Sequence, residues 1–206
     1  MRPISAARRL SRSDVPLETT TLALYLIGKV VVRTLDDGGV ISGRIVETEA
    51  YLPDDPASHS FRGRTERNRT MFGNYLHAYV YFIYGSAYCF NVSSEGAGVG
   101  AAVLIRALEP LEGIALARAR RGPGVADRDL MRGPGRVCRA LDIDRRFDGV
   151  DLETDGQLWL ADDGSARPAV GRSARIGLTR AAEIHQRFYA RGSRYLSGRR
   201  SLSPDL

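Results

Sequence analysis

The apolar positions of this 206-residue chain fall into short blocks separated by glycine, proline and charge, and their spacing changes from block to block. Leu17 to Ile27 is apolar at mixed spacing and is followed by Gly28 and then Val30 to Val32, a pattern that predicts a helix, its glycine stop and a strand. Asp36 to Gly39 has turn chemistry and launches a strand from Val40 to about Tyr51. Alternation along that strand puts Ile45, Glu47, Glu49 and Tyr51 on one face and Val46, Thr48 and Ala50 on the other. Two carboxylates therefore share a face with an aromatic ring. On pattern alone they read as solvated groups on an exposed strand face.

From Leu52 to Asn74 the periodicity gives way to a long loop that holds Pro53, Pro56, Gly63 and Gly73 and the arginines Arg62, Arg64, Arg67 and Arg69. Connections of this length are uncommon without a purpose. Ala78 to Tyr84 and Ala87 to Val92 flank Gly85 and Ser86 and predict an aromatic β-hairpin with Tyr84 at its tip. A three-residue loop would set Tyr81 opposite Asn91. Gly96, Gly98 and Gly100 predict a flexible loop, with a spacing that fits neither a dinucleotide nor a phosphate-loop fingerprint. Ala102 to Leu108 reads as a buried strand interrupted by Arg106, and a charge inside an apolar run needs a partner. Pro110 is expected to open a helix that runs to about Arg121 and stops at Gly122. Shorter elements follow: a helix from Arg136 to Leu141, a strand from Leu158 to Leu160 and another near Ala174 to Leu178. Because strands and helices do not alternate regularly, the expected class is α+β, one mixed domain over 15–200 with a curved, largely antiparallel sheet. Residues 1–14 are expected to form a flexible basic arm, and 201–206 a frayed tail.

Composition narrows the function. Lys and Arg number 30 against 24 Asp and Glu, a net charge of +6 that points to a polyanionic partner. The 43% hydrophobic content fits a folded soluble chain, and no apolar run approaches the length of a membrane span. Two isolated cysteines, Cys89 and Cys138, without a secretory signal suit a reducing cytoplasm. His59, His77 and His185 are scattered, without paired metal-ligand spacing, so neither metal nor cofactor is expected. Lys29 is the single lysine.

The combination of motifs says more than any one of them. RIVETEAY from Arg44 to Tyr51, ASHS from Ala57 to Ser60, Arg67-Asn68, Met71-Phe72, YVYFIYG from Tyr79 to Gly85, CFN from Cys89 to Asn91 and VLIRALEPLEG from Val103 to Gly113 follow in this order. Smaller pieces agree, among them Gly133-Pro134, Ala174 to Gly177 and Arg187 to Ser193. Over roughly Leu22 to Ser197 the chain resembles the alkyladenine (3-methyladenine) DNA glycosylase family. The resemblance implies an enzyme that flips a damaged purine out of duplex DNA and hydrolyses its N-glycosidic bond. It implies Glu49 as general base, with Arg106 and the backbone carbonyl of Ile176 helping to hold Glu49 and the attacking water. Tyr51, His59 and Tyr81 would wall the base pocket, Asn91 would disfavour the amino group of guanine, and Tyr84 would be the wedge that enters the minor groove. Arg62, Arg64, Arg67 and Arg69 are candidates for holding the DNA backbone.

Elementary chemistry is consistent with these roles. Cleaving an N-glycosidic bond builds oxocarbenium character on the sugar, which a carboxylate can stabilise while it takes a proton from water. An extruded base loses stacking worth about a few kcal/mol, which an aromatic slot restores. Glycosylases that also nick the strand need an amine, and Lys29 lies far in sequence from every candidate pocket residue, so a monofunctional hydrolase acting as a monomer is expected. The rival reading is a damage-sensing or RNA-binding module with the same basic groove and stacking tyrosines but no hydrolysis. Such a binder gains nothing from a carboxylate facing phosphates.

Overall fold

The structure, a computed structural model, describes residues 4, 7–83 and 85–198. Its strands are β1 (Arg8–Arg9), β2 (Val30–Thr34), β3 (Val40–Tyr51), β4 (Ala78–Ile83), β5 (Ala87–Ser93), β6 (Ala102–Glu112), β7 (Leu158–Asp162), β8 (Val170–Ser173) and β9 (Arg187–Ala190). Three α-helices accompany them among the described residues, α1 (Thr19–Leu26), α2 (Ile114–Arg121) and α3 (Pro134–Leu141). The strands form one open antiparallel sheet in the order β1-β7-β2-β3-β6-β5-β4, with β9 joining β3 to β8. This is a mixed α/β domain. None of its helices is long and apolar enough to cross a membrane, among the described residues.

The strand β3 organises the fold because it is long enough to be shared. β2 pairs with its first half, Val40 to Arg44, and β9 pairs with Glu47 to Glu49, while β6 runs along the opposite edge. Three register shifts interrupt the β3–β6 ladder, leaving Leu111, Val46 and Arg106 in turn without a partner. A bulge re-aims the side chains around it. Ile45 and Val46, which strict alternation sends to opposite faces, both join the main hydrophobic core. Ile45 therefore leaves the face expected for it, while Glu47, Glu49 and Tyr51 keep theirs. Leu22 and Leu26 from α1, Ile105 from β6, and Val137 and Leu141 from α3 complete that core, and the Thr48 hydroxyl fastens β3 to α1 by donating to the Ala23 carbonyl at 2.9 Å.

Several expectations need correction. Pro110 opens no helix; it lies inside β6 opposite Gly43, next to a register shift where the ladder is already broken and its missing N–H costs least. The helix begins at Ile114, after Gly113, whose φ of +69° and approach to the Val40 carbonyl leave no room for a Cβ. Ala174 to Leu178 is not a strand: β8 ends at Ser173 and the chain leaves the sheet there. Within the arm expected to be flexible, Arg8 and Arg9 instead add a strand to β7, Leu10 is fully buried and Arg8 meets Asp14 at 2.6 Å. Hydrogen bonds from the Ser11 backbone and hydroxyl, with Arg8 beside it, hold the Asp14 carboxyl down at about 2. The expected 201–206 tail lies outside the described residues.

Candidate active site

The floor of the site is the bulged stretch where β3, β6 and β9 meet. Glu47 and Glu49 are both fully buried, so the reading of solvated carboxylates is overturned: their arginine partners come from segments more than fifty residues away. Glu49 Oε1 accepts the Ile176 N–H at 2.8 Å, and Oε2 accepts the Tyr51 hydroxyl at 2.9 Å and Arg106 Nη1 at 3.2 Å. Glu47 is held more completely. Its Oε1 takes Arg187 Nε at 2.6 Å and the Ser197 hydroxyl at 2.9 Å, its Oε2 takes the Ser197 N–H at 2.6 Å, and Arg106 Nε lies 3.4 Å away. Arg106 Nε also donates to the Ser197 hydroxyl at 3.0 Å. Burial opposes the charge on Arg106, but Glu49 and Glu47 outweigh it and hold the guanidinium more basic than a free arginine.

Above this floor opens a cavity of about 370 Å³. Tyr51, Arg106 and Ile176, the three groups bonded to Glu49, line it, together with His59, Tyr79, Tyr81 and Asn91. Leaving the sheet after β8 is what brings Ile176 to Glu49, and the group that reaches the carboxylate is its N–H, where the resemblance implied the carbonyl. Burial, reinforced by Glu49, raises the Tyr51 phenol well above an ordinary tyrosine, and burial does the same for Tyr79 and Tyr81. His59 Nδ1 lies 2.9 Å from the Tyr79 hydroxyl, and its ring meets Tyr81 edge-on at 4.5 Å between centroids. Desolvation against these rings, with Arg67 near, lowers its pKa, so the imidazole is neutral at pH 7. The buried Asn68 side chain donates to the carbonyls of His59 and Gly63 at 2.8 and 3.0 Å and so fixes the loop that presents His59.

The hairpin forms as expected, but its register differs. Ile83 faces Ala87, which sets Tyr81 opposite Cys89 and Tyr79 opposite Asn91. Asn91 and Tyr81 line the same cavity, and the Asn91 amide donates to the Tyr79 carbonyl at 3.0 Å. Tyr84 lies outside the described residues. Arg62, Arg64, Arg67 and Arg69 are all exposed. Arg67 reaches back to the Phe82 carbonyl at 3.3 Å and over the Tyr81 ring at 6.0 Å, tying the loop to the hairpin, while Arg69 pairs with Glu66 at 3.1 Å.

A second groove, of about 730 Å³, was not foreseen from the sequence. It runs between the hairpin stem and the helices α2 and α3, with Arg120, Arg121, Arg136 and Arg139 along it. Burial and the neighbouring Arg136 and Arg139 lower the pKa of Arg121, a sign of crowded positive charge. The only signal in the sequence was the arginine content of two short helices, which ordinary solvated faces share. Lys29 is elsewhere, bonded to Asp162 at 2.6 Å and resting 5.0 Å over the Tyr25 ring. No cluster of three or more His, Cys, Asp or Glu is placed to hold a metal ion, among the described residues.

A buried carboxylate under an aromatic cavity is the arrangement in which comparison with known proteins becomes decisive. The model of the methylpurine-DNA glycosylase family matches residues 14–194. The chain belongs to that family. A provisionally named 3-methyladenine DNA glycosylase of Mesorhizobium japonicum is 55% identical over 193 residues, covering 94% of this chain and 92% of the relative. The DNA-3-methyladenine glycosylases of Mus musculus and Homo sapiens are 48% and 47% identical, over 95% and 85% of this chain and 63% of each mammalian protein. For a methylpurine-DNA glycosylase the separation seen here is informative: Glu49, Tyr51 and Arg106 stand on neighbouring strands of the sheet, while His59, Tyr79 and Tyr81 come from the loop and the hairpin.

Proposed function

We propose that this methylpurine-DNA glycosylase excises damaged purines from duplex DNA, taking the base into the 370 Å³ cavity and hydrolysing its bond to the sugar with water activated by Glu49. The observation that carries this reading is the geometry of Glu49, a carboxylate held by three donors at the floor of a cavity walled by Tyr51, Tyr81 and His59. As the base departs with the bonding electrons, positive charge develops on the sugar and water adds to it. Glu49 takes the water proton and its charge stabilises the sugar cation. The Arg106 and Ile176 donors aim the carboxylate; the single donor on Oε1 leaves that oxygen capacity for a water.

A purine alkylated at N3 or N7 is cationic, and electron-rich rings of Tyr51 and Tyr81 add about 0.5–2 kcal/mol of cation–π attraction that a neutral base lacks. Neutral His59 adds no repulsion. Asn91 is fixed by its bond to the Tyr79 carbonyl and disfavours the amino group of guanine. Tyr84, which follows Ile83 in sequence, is assigned as the wedge, and the basic groove along α2 and α3, with Arg62, Arg64 and Arg67, holds phosphates. With Lys29 engaged by Asp162, cleavage stops at the abasic site. One chain supplies every group this reaction uses, which supports action as a monomer.

The test is release of 3-methyladenine from a lesion duplex by wild type and by Asn91→Ser and Tyr84→Ser. Asn91→Ser should begin to release guanine, and Tyr84→Ser should weaken lesion-duplex binding. Wild-type protein that releases no base from any alkylated duplex would refute the reading.

A further inference from the structure

We infer that Arg175, clamped by Asp55, is a positioning residue for the excision reaction: it sets the two donors, Tyr51 and the Ile176 amide, that aim Glu49. This rests on the proposed role of Glu49. Both side chains are almost wholly buried, at 0% and 4% exposure, although neither belongs to the hydrophobic core. Arg175 Nη1 donates to the Ala50 carbonyl at 2.9 Å and to Asp55 Oδ2, and Nη2 donates to Asp55 Oδ1 at 3.0 Å. The guanidinium lies 4.7 Å over the Tyr51 ring. Asp55 Oδ1 also accepts the Ala57 N–H at 2.9 Å, and Ala57 lines the cavity two residues before His59.

One ion pair thus ties together three stretches of chain that converge on the site: the end of β3 with Tyr51, the loop that leads to His59, and the irregular segment after β8. That segment has no ladder partner to fix it, and its amide at position 176 is the donor to Glu49 Oε1. A bidentate, planar guanidinium can hold a loop at a fixed distance and angle in a way a point charge cannot. Sealing a pair inside protein for stability alone is a poor bargain, since apolar replacements of similar volume are often as stable. The location of this pair, touching one donor through its ring and adjoining the other in sequence, accounts for its presence.

Arg175→Met and Asp55→Asn test the assignment, with Arg175→Lys as the conservative variant. Three quantities are compared with wild type: single-turnover release of 3-methyladenine from duplex DNA, affinity for the lesion duplex, and hydrogen exchange at the Ile176 amide. Arg175→Met should lower the single-turnover rate about 10- to 100-fold, as small misplacement of a reacting group does, with affinity changed less than threefold. The acidic limb of its rate profile should move to higher pH, because a carboxylate that loses a donor takes a proton more readily. Exchange at Ile176 should accelerate. Arg175→Lys should recover part of the rate, because it keeps the charge opposite Asp55. Should Arg175→Met not fold, the milder Asp55→Asn decides by the same three readings. A folded variant with wild-type rate, acidic limb and Ile176 protection overturns the inference. If instead no protein releases base, the function proposed for Glu49 fails, and accelerated or unchanged exchange at Ile176 still decides whether the clamp holds that segment.

Discussion

Glu47 and Glu49 stand two residues apart on one strand, both fully buried and both touching Arg106, yet their surroundings differ in kind. Around Glu47 the site is closed: Arg187, Arg106 and two donors from Ser197 occupy it from every side. Glu49 is equally buried, but each of its three donors also lines the cavity, so it lies directly beneath that space. The same residue type is a structural anchor in one place and, in the function proposed above, the reacting group in the other. What separates them is whether the groups that hold the carboxylate only close the sheet or also face the cavity.

The strongest way to break this contrast is to neutralise each carboxylate in turn. Glu49→Gln should reduce single-turnover base release by about 10³-fold, as loss of a general base does, while lesion-duplex binding survives; undiminished release would end the assignment. Glu47→Gln should act on stability instead, costing about 3–5 kcal/mol in denaturant unfolding because Arg187 loses its buried counter-charge. An unfolding midpoint unchanged by that substitution would mean that the two sites do not differ as described.

A smaller effect sharpens the boundary between floor and rim. Alanine at Arg120 and Arg136 should weaken binding to any duplex, damaged or not, and lower the salt slope of binding by about 1 for each phosphate no longer neutralised; the measurement is affinity against salt concentration. Smaller still is the histidine. Because the folded pKa of His59 is depressed below its ordinary value of 6.5, the stability linked to its neutral form is present above that value. It is lost as pH falls through and below 6.5. An NMR titration of the ring should show it neutral at pH 6.5, and a raised titration would contradict the packing against Tyr81. Least of all, Lys29→Met should leave base release intact and change stability by less than about 1 kcal/mol, the usual worth of a partly exposed ion pair. Covalent trapping of wild-type protein on DNA by borohydride would contradict it.

The contrast also shows what a sequence can and cannot reveal. β3 was legible to its ends because glycine and proline bracket an apolar, β-branched run. Arg106 announced its need for a partner by interrupting such a run. The burial of Glu47 and Glu49 was not legible, because the groups that hold them, Arg187 and Ser197 for Glu47 and Ile176 for Glu49, come from far along the chain. Local periodicity carries no record of pairing at that distance. Pro110 misled for a related reason: proline is a helix opener by local rule, and only the register shift against Gly43 made a strand tolerate it. The motif resemblance placed Glu49, Arg106 and Ile176 together, but the basic groove along α2 and α3 had no motif to mark it.

The pairing of β9 with the middle of β3 orders events in time as well as in space. Glu47 is anchored only when Arg187 and Ser197, near the end of the described chain, have docked. Until residues 187–197 fold back onto β3, Glu47 lacks its Arg187 and Ser197 donors and Arg106 lacks its bond to the Ser197 hydroxyl, so the buried floor of the site is completed by a segment 140 to 150 residues downstream of Glu47.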